Sequence, residues 1–177
     1  MNVYEIMKEK NIVLPAPPPK GGVYAPCKIS GNMAYISGCG CIVDGCAAAG
    51  KLGRDYTVEQ GQVFARNCML NILAVLQREI GDLNRVKQVV KILAFVASDD
   101  EFYQQPQVAN GASNLLGELF GPEAGIPARS DALTISEIVS ASLPAAGSKR
   151  RKQPPSLFSI VSPYKSSKAN SVCISPR

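Results

Sequence analysis

Short β-prone runs and turn residues alternate at the start of the chain. Two such runs, residues 23–30 and 33–37, are separated by Gly31-Asn32. A two-residue turn between apolar runs favours a β-hairpin, although Gly-Asn is a weaker signal than Asn-Gly. Residues 39–56 are rich in Gly, Ala and Cys, and turn pairs such as Asp44-Gly45 predict that they form a connecting loop.

The hydrophobic pattern takes the period of a helix after Thr57. Thr57 is a suitable N-cap, Gln60 lies at the capping-box spacing, and Gly81-Asp82 ends the pattern. Apolar residues recur on one broad face of this predicted helix: Val63, Phe64, Cys68, Leu70, Ile72, Leu73, Val75 and Leu76. Such a face is typical of a helix that packs on a core.

A second helix is predicted from about residue 104 to residue 120, where Gly121-Pro122 ends it. The mixed charge of residues 1–10 favours a further short helix at the start of the chain. The residues of the second helix that are expected to face inward are Val108, Leu115, Leu116 and Leu119.

Two further runs complete the pattern. Residues 86–96 suit a central strand, and residues 132–135 predict another strand that is entered through Arg129. The order hairpin, helix, strand, helix, strand indicates an α+β fold, with two helices packed on one face of a mixed β-sheet. The other face needs a cover, and an oligomer whose sheets pack into a common barrel would supply it.

Charge divides the 177 residues into a domain, predicted over residues 1–143, and a tail over residues 144–177. Residues 1–137 carry 12 Lys and Arg against 14 Asp and Glu, whereas residues 138–177 carry 7 Lys and Arg and no acid. The net charge of +5 therefore belongs to the end of the chain. The domain itself has no excess of positive charge for a nucleic acid.

The tail is basic and rich in Ser, Pro and Lys, and it is expected to be disordered. Residues 156–161 alternate weakly and offer an alternative, a strand that would complete the sheet. The basic run over residues 149–152 resembles a nuclear-localisation or anion-binding patch, but such runs are most often simply solvated.

The sequence favours a cytoplasmic protein that does not enter the membrane. Lys91 interrupts the longest apolar stretch, which falls far short of the roughly 20 residues that a spanning helix needs. The first residues are mixed in charge and do not resemble a secretory signal.

Six cysteines and no histidine limit the chemistry. Cys39, Cys41 and Cys46 form a cluster, but their spacing fits no common zinc pattern. The lack of histidine removes the commonest metal ligand and the commonest general base. We therefore expect thiols in a reducing compartment, with no metal and no other cofactor.

Arg129 is the candidate functional side chain, because Pro127 and the start of the predicted strand hold its backbone. A guanidinium held in this way can bind a carboxylate through two parallel hydrogen bonds. Taken alone, an arginine at a strand edge is more often a solvated surface residue.

Several short motifs surround Arg129 in a specific order. They are Gly-Val-Tyr-Ala-Pro at residues 22–26, Tyr-Ile-Ser-Gly at 35–38, Gly-Asp-Leu-Asn-Arg-Val at 81–86, Phe-Val at 95–96, Asn-Gly-Ala-Ser at 110–113, Phe-Gly at 120–121 and Pro-Ala-Arg-Ser at 127–130. Together they resemble the YjgF/Rid (reactive intermediate deaminase) family, also labelled endoribonuclease L-PSP, and in particular its branch with the Asn-Gly-Ala-Ser helix motif. The resemblance runs from about residue 5 to residue 137.

This resemblance implies a chorismate-mutase-like α+β fold that forms homotrimers with clefts between subunits. It implies hydrolysis of reactive 2-imino acids, or their enamine tautomers, to 2-oxo acids and ammonia, without a metal or an organic cofactor. Arg129 would bind the substrate carboxylate. The substrate-binding residues implied around it are Tyr24, Ser37, Gly38, Asn110, Ser130 and Asp131.

Two departures from the family pattern bear on this activity. Deaminases of the family carry a cysteine where this chain has Asp131, and a carboxylate there could pair with Arg129 and compete with the substrate. The family also ends in a strand whose glutamate is proposed to activate water, whereas this chain has no glutamate after Glu137. Glu118 and Glu123 are two alternative bases.

The abrupt change near residue 138 suggests the hypothesis of a frameshift or an alternative exon. A transcript that reads through this point in a single frame, together with peptides from the tail, would exclude it. Three functions are then open: a trimeric imine or enamine hydrolase, a binder of a carboxylate metabolite, which the missing glutamate favours, and a ribonuclease, ranked last.

Overall fold

A computed structural model describes residues 2–43, 46–132 and 170–174. Its helices are α1 (Val3–Glu9), α2 (Val58–Ile80) and α3 (Gln105–Gly125), with a 3₁₀ turn over Leu83–Arg85. Its strands are β1 (Cys27–Ser30), β2 (Met33–Ile36), β3 (Ile42–Val43), β4 (Cys46–Ala47), β5 (Val86–Phe95), β6 (Ala128–Ala132) and β7 (Asn170–Ile174). In this part of the chain, no helix combines the length and the apolar character that crossing a membrane requires.

The predicted start and end of α2 are confirmed. The Thr57 hydroxyl accepts from the backbone N–H of Gln60, and the Gln60 side chain accepts from the backbone N–H of Thr57. Gly81, with φ of 81°, ends the helix in a conformation that favours glycine. One residue of the predicted apolar face is wrong, because Val63 is 55% exposed.

The second helix continues beyond its predicted end after a break. Gly121 has φ of 81° and ψ of 165°, which interrupts the helix where Gly121-Pro122 was expected to stop it. Pro122 then begins a short helical piece that ends at Gly125. The four residues expected to face inward, Val108, Leu115, Leu116 and Leu119, are all buried.

The five-stranded sheet has the order β1-β2-β7-β5-β6 and is mixed, because only β5 and β6 pair in parallel. The predicted hairpin is present, with Ser30 opposite Met33 across Gly31-Asn32. Helices α2 and α3 supply most of the core on one face, together with Ala34, Ile36, Val89 and Ile92 of the sheet. The expected α+β fold, a mixed sheet with two helices on one face, is confirmed.

Two predictions for irregular regions are wrong in detail. The segment 39–56, expected to be a loop, contains the small hairpin of β3 and β4, in which Ile42 pairs with Ala47. The strand after Arg129 begins earlier than predicted, at Ala128, so Arg129 lies within the strand. The predicted residues 133–135 and the turn Asp44-Gly45 lie outside the described residues.

The end of the chain supplies a central strand. Asn170–Ile174 pairs antiparallel with β2 on one side and with β5 on the other. Val172 is in register with Ala34 and Val89, which are both buried. The expected disorder of the tail is therefore wrong for these five residues. The alternative strand at residues 156–161 and the boundary at residue 143 lie outside the described residues.

We predict that Gly111→Ala destabilises the protein, because a Cβ at this position would lie 2.0 Å from the backbone oxygen of Gln62 in α2. Alanine normally favours a helix over glycine by about 1 kcal/mol, but overpacking costs roughly 1–3 kcal/mol and more against backbone. Denaturant unfolding measures the difference. Gly117→Ala is the matched control in the same helix, because its Cβ would meet only the flexible end of the Ile126 side chain. Equal stabilities of the two variants would contradict the prediction.

We also predict that a chain ending at residue 169 loses cooperative unfolding. Removing β7 leaves the facing backbone groups of β2 and β5 unpaired in the centre of the sheet, at about 1 kcal/mol for each hydrogen bond lost. Thermal unfolding followed by circular dichroism tests this. A chain ending at Ile174 is the control and should unfold like the full-length protein. A sharp, unshifted transition of the shorter chain would show that β7 is dispensable.

Candidate functional site

Arg129 lies in β6, at one edge of the five-stranded sheet, and its side chain is bound by four acceptors. Its Nε donates to Asp131 Oδ2 at 2.8 Å, and its Nη2 donates to the carbonyl oxygen of Pro106 at 3.0 Å. Its Nη1 donates to Asn110 Oδ1 at 2.9 Å and to Ser113 Oγ at 3.1 Å. Four hydrogen bonds engage a group that has five N–H donors, so the guanidinium is held in one orientation.

Local periodicity explains this arrangement. Positions 129 and 131 of a strand share a face, and here that face is turned towards α3. Asn110 and Ser113 are three residues apart in α3 and so lie on the same side of the helix. Gly111, between them, lets α3 approach α2 closely. Each of these positions in the Asn-Gly-Ala-Ser motif therefore has a structural role.

The ion pair of Arg129 and Asp131 is largely removed from solvent. The side chains are 20% and 11% exposed, and their formal charges cancel. Asp131 Oδ1 is buried and has no hydrogen-bond partner among the described residues. A buried acceptor left unpaired costs about 1–3 kcal/mol, so this carboxylate is incompletely satisfied by the described residues. The pairing of Asp131 with Arg129 that the sequence suggested is confirmed.

Ser130 does not belong to this cluster. As the residue between Arg129 and Asp131, it faces the opposite side of the sheet, where its Oγ lies 2.6 Å from the Nζ of Lys91 in β5. Its side chain is therefore separated from the guanidinium by the strand itself. Lys91 is a polar residue of that face, and no sequence motif pointed to its contact with Ser130.

The β1–β2 hairpin lies at the edge of the sheet opposite β6. Beside this hairpin lie three predicted site residues, Tyr24, Ser37 and Gly38. Ser37 Oγ donates to the carbonyl oxygen of Ala25 at 2.7 Å, and Gly21 N–H donates to the Tyr24 hydroxyl at 3.2 Å. Strands β7 and β5 lie between β2 and β6, so three strand spacings of about 4.8 Å each separate β2 from β6. The residues beside the hairpin are therefore about 14 Å across the sheet from Arg129. Within the part of the chain that the structure describes, the predicted site residues therefore do not form a single pocket.

The two alternative carboxylates lie away from Arg129. Glu118 is paired with Arg66 of α2 at 3.3 Å, and it is eight residues beyond Asn110, or about 12 Å along the helix axis. Glu123 follows the break at Gly121 and is exposed. Asp131 is the carboxylate that contacts the arginine directly.

Sequence reasoning missed two partners of the guanidinium, Ser113 and the carbonyl oxygen of Pro106. Ser113 could have been found from its helical spacing to Asn110 within the Asn-Gly-Ala-Ser motif. The Pro106 carbonyl could not, because a backbone acceptor at the start of a helix leaves no mark in the sequence.

The described residues contain no group of three or more His, Cys, Asp and Glu arranged to hold a metal ion. Among the described residues, no disulfide is formed by Cys27, Cys39, Cys41, Cys46 or Cys68. Burial and the nearby Glu79 raise the pKa of the Cys27 thiol, which disfavours a reactive thiolate. A small hollow between α2, β5 and α3 is lined by apolar core residues such as Met69 and Phe120, so it has no polar group to orient a ligand.

Comparisons with known proteins agree with this architecture. The family described as "YjgF/chorismate_mutase-like, putative endoribonuclease" matches residues 9–139. Protein TCP17 of Trypanosoma cruzi is 41% identical over 125 residues, which cover 70% of this chain and 78% of that protein.

Two crystal structures are similar. One, a protein from Shewanella oneidensis described as a "putative endoribonuclease", has a TM-score of 0.69 and 32% identity, and the match covers 73% of this chain and 85% of that one. The other is protein Atu1372 of unknown function from Agrobacterium tumefaciens, with a TM-score of 0.71, 33% identity and coverage of 98% and 93%. The family match spans well over half of the 177 residues, and the chain therefore belongs to the YjgF/chorismate mutase-like family.

Proposed function

We propose that this protein hydrolyses reactive 2-imino acids, or their enamine tautomers, to 2-oxo acids and ammonia in the cytoplasm, with Arg129 binding the substrate carboxylate. The observation that carries the proposal is the fixed guanidinium at the edge of the sheet, with one N–H donor beyond its four hydrogen bonds and 20% of the side chain exposed. Membership of the family supports a general function of the Rid/L-PSP type.

Because the Arg129 guanidinium is already held in one orientation, it can contribute to catalysis by positioning the substrate. The three neutral acceptors on α3 fix Arg129 before a ligand arrives, so little side-chain entropy remains to be lost on binding. A 2-imino acid presents a carboxylate to the arginine and a polarised C=N bond to water. Positioning of these two groups can supply much of the rate acceleration without histidine, metal or organic cofactor.

The separation of the site residues supports an intersubunit cleft. Tyr24, Ser37 and Gly38 lie about 14 Å of sheet away from Arg129 in the same protomer. In the homotrimer that we propose, the hairpin group of one subunit faces the Arg129 group of the next. The same assembly would cover the open face of the sheet, where Tyr35 is half exposed.

A second candidate is a non-catalytic binder of a small 2-oxo or other carboxylic acid. The near-complete engagement of Arg129 and the absence of glutamate after Glu137 favour it. The word endoribonuclease describes the family and the Shewanella protein. We rank that activity last for this chain, because residues 1–137 carry more acidic than basic residues and no histidine.

We predict that Arg129→Ala lowers kcat/KM for 2-iminopropanoate at least tenfold, because hydrogen bonds to a charged group contribute roughly 1.5–3 kcal/mol. Release of ammonia and pyruvate from freshly generated imine measures it. Arg129→Lys should recover only part of the rate, because lysine keeps the charge without the planar fork.

Arg78→Ala is the matched control, since Arg78 is an exposed arginine that pairs with its neighbour Glu79 at the end of α2. It should leave the rate unchanged. If the wild-type protein gives no acceleration but binds pyruvate in a titration, the binder is correct and the hydrolase is not. Equal rates for Arg129→Ala and the wild type would remove the proposed role of Arg129.

A further inference from the structure

We propose that Asp131 is a displaceable internal carboxylate, which occupies Arg129 until the substrate carboxylate replaces it and which then serves as the base for water. This inference rests on the proposed function and names the group that replaces the family's glutamate. It also explains why a residue that competes with the substrate lies beside the binding arginine.

The two members of the ion pair are held unequally. Arg129 has three further acceptors, on Pro106, Asn110 and Ser113. Asp131 is held by the Arg129 Nε, while its Oδ1 has no hydrogen-bond partner among the described residues. When a second carboxylate competes for the guanidinium, the arginine stays in place and Asp131 is the group that moves.

The exchange of Asp131 for a substrate carboxylate on Arg129 leaves the charge balance of the site unchanged. This limits the free-energy cost of the exchange in a site with little solvent. The pair is formally neutral, and a substrate carboxylate that takes the place of Asp131 on Arg129 preserves the paired charge of the guanidinium. After release from Arg129, neither oxygen of the Asp131 carboxylate has a donor among the described residues: Oδ1 had none before, and Oδ2 has lost the Arg129 Nε. Hydrogen bonds from water then stabilise the carboxylate. A protonated imine beside it supplies the compensating positive charge.

Position favours Asp131 over the other carboxylates. The Asp131 Oδ2 lies 2.8 Å from the Arg129 Nε, so on release it remains next to the bound substrate. Glu118 is paired with Arg66 about 12 Å along α3, and Glu123 is exposed beyond the break at Gly121.

The reaction balances with water as the co-reactant. Water oxygen bonds to C2 of the protonated imine, the C=N π electrons move to nitrogen, and Asp131 takes the proton that water loses. Asp131 then returns this proton to the nitrogen of the carbinolamine. The hydroxyl proton passes to Asp131 as the C=O bond forms and the C–N bond breaks, and the departing ammonia takes that proton as ammonium. Asp131 ends as the carboxylate, ready to pair with Arg129 again.

The test is a comparison of binding and turnover in Asp131→Asn. Its amide lacks the negative charge that competes for Arg129, so pyruvate should bind about threefold to tenfold more tightly than to the wild type, as measured by titration calorimetry. Its kcat for 2-iminopropanoate should fall by about 10²-fold or more, the usual contribution of a general base. Tighter binding with slower turnover is a result that a merely structural role of Asp131 would not produce.

Asn110→Ala is the matched control, because it removes an acceptor of Arg129 without removing the competing charge. It should weaken the binding of pyruvate. Asp131→Ser provides a second variant if Asp131→Asn does not fold, and it too should bind pyruvate more tightly and have a lower kcat than the wild type. Thermal unfolding shows whether each variant is folded. Asp131→Glu should recover part of kcat, because it restores a carboxylate.

The outcomes separate this inference from the proposed function. Suppose that the wild type hydrolyses the imine, but that both Asp131 variants keep the wild-type pyruvate affinity or the wild-type kcat. This result would overturn the role of Asp131 and would still support the hydrolase. Absence of hydrolysis by a folded wild type overturns the hydrolase and the base, whereas tighter pyruvate binding by Asp131→Asn would still support displacement. Weaker pyruvate binding by both variants would show that Asp131 holds Arg129 in place and is not its competitor.

Discussion

The close packing of α3 against α2 at Gly111 is the constraint on which the rest of the structure depends. The backbone of α2 at Gln62 occupies the space that a side chain at position 111 would need, so the separation of the two helices is fixed there. The positions of Asn110 and Ser113 relative to the sheet follow from this separation. Since both accept from Arg129, helix packing in the core determines where the guanidinium lies at the edge of β6.

The sheet illustrates how a central position can be filled by a segment that is distant in sequence from both of its neighbours. Asn170–Ile174 is a short run, yet β2 and β5 pair with it on both sides. The ladder satisfies backbone groups of all three strands, and Val172 is in register with the buried positions Ala34 and Val89. The strand therefore combines β-prone residues such as Val172 and Ile174 with pairing partners that lie far away in the sequence.

The difference between local signals and pairing of distant segments accounts for what the sequence could and could not predict. The capping box at Thr57, the glycine end at Gly81 and the two-residue hairpin turn are local signals, and the fold class followed from them. The strand at the end of the chain and the contact of Lys91 with Ser130 arise from pairing between distant segments. Arg129 could be singled out by its flanking residues, but its partners on α3 depend on how a helix packs against a strand, which no local pattern specifies.

The internal pairing of Arg129 has a consequence for how a ligand site would form. Among the described residues of one chain the guanidinium has four acceptors, and one of them, the Asp131 carboxylate, neutralises its charge. The hairpin group at Tyr24 and Ser37 is likewise held by its own backbone contacts. The Arg129 half of the site is therefore neutralised in charge before it meets the hairpin half. Under the proposed function, ligand affinity is therefore coupled to the association of subunits, because only assembly brings the halves together.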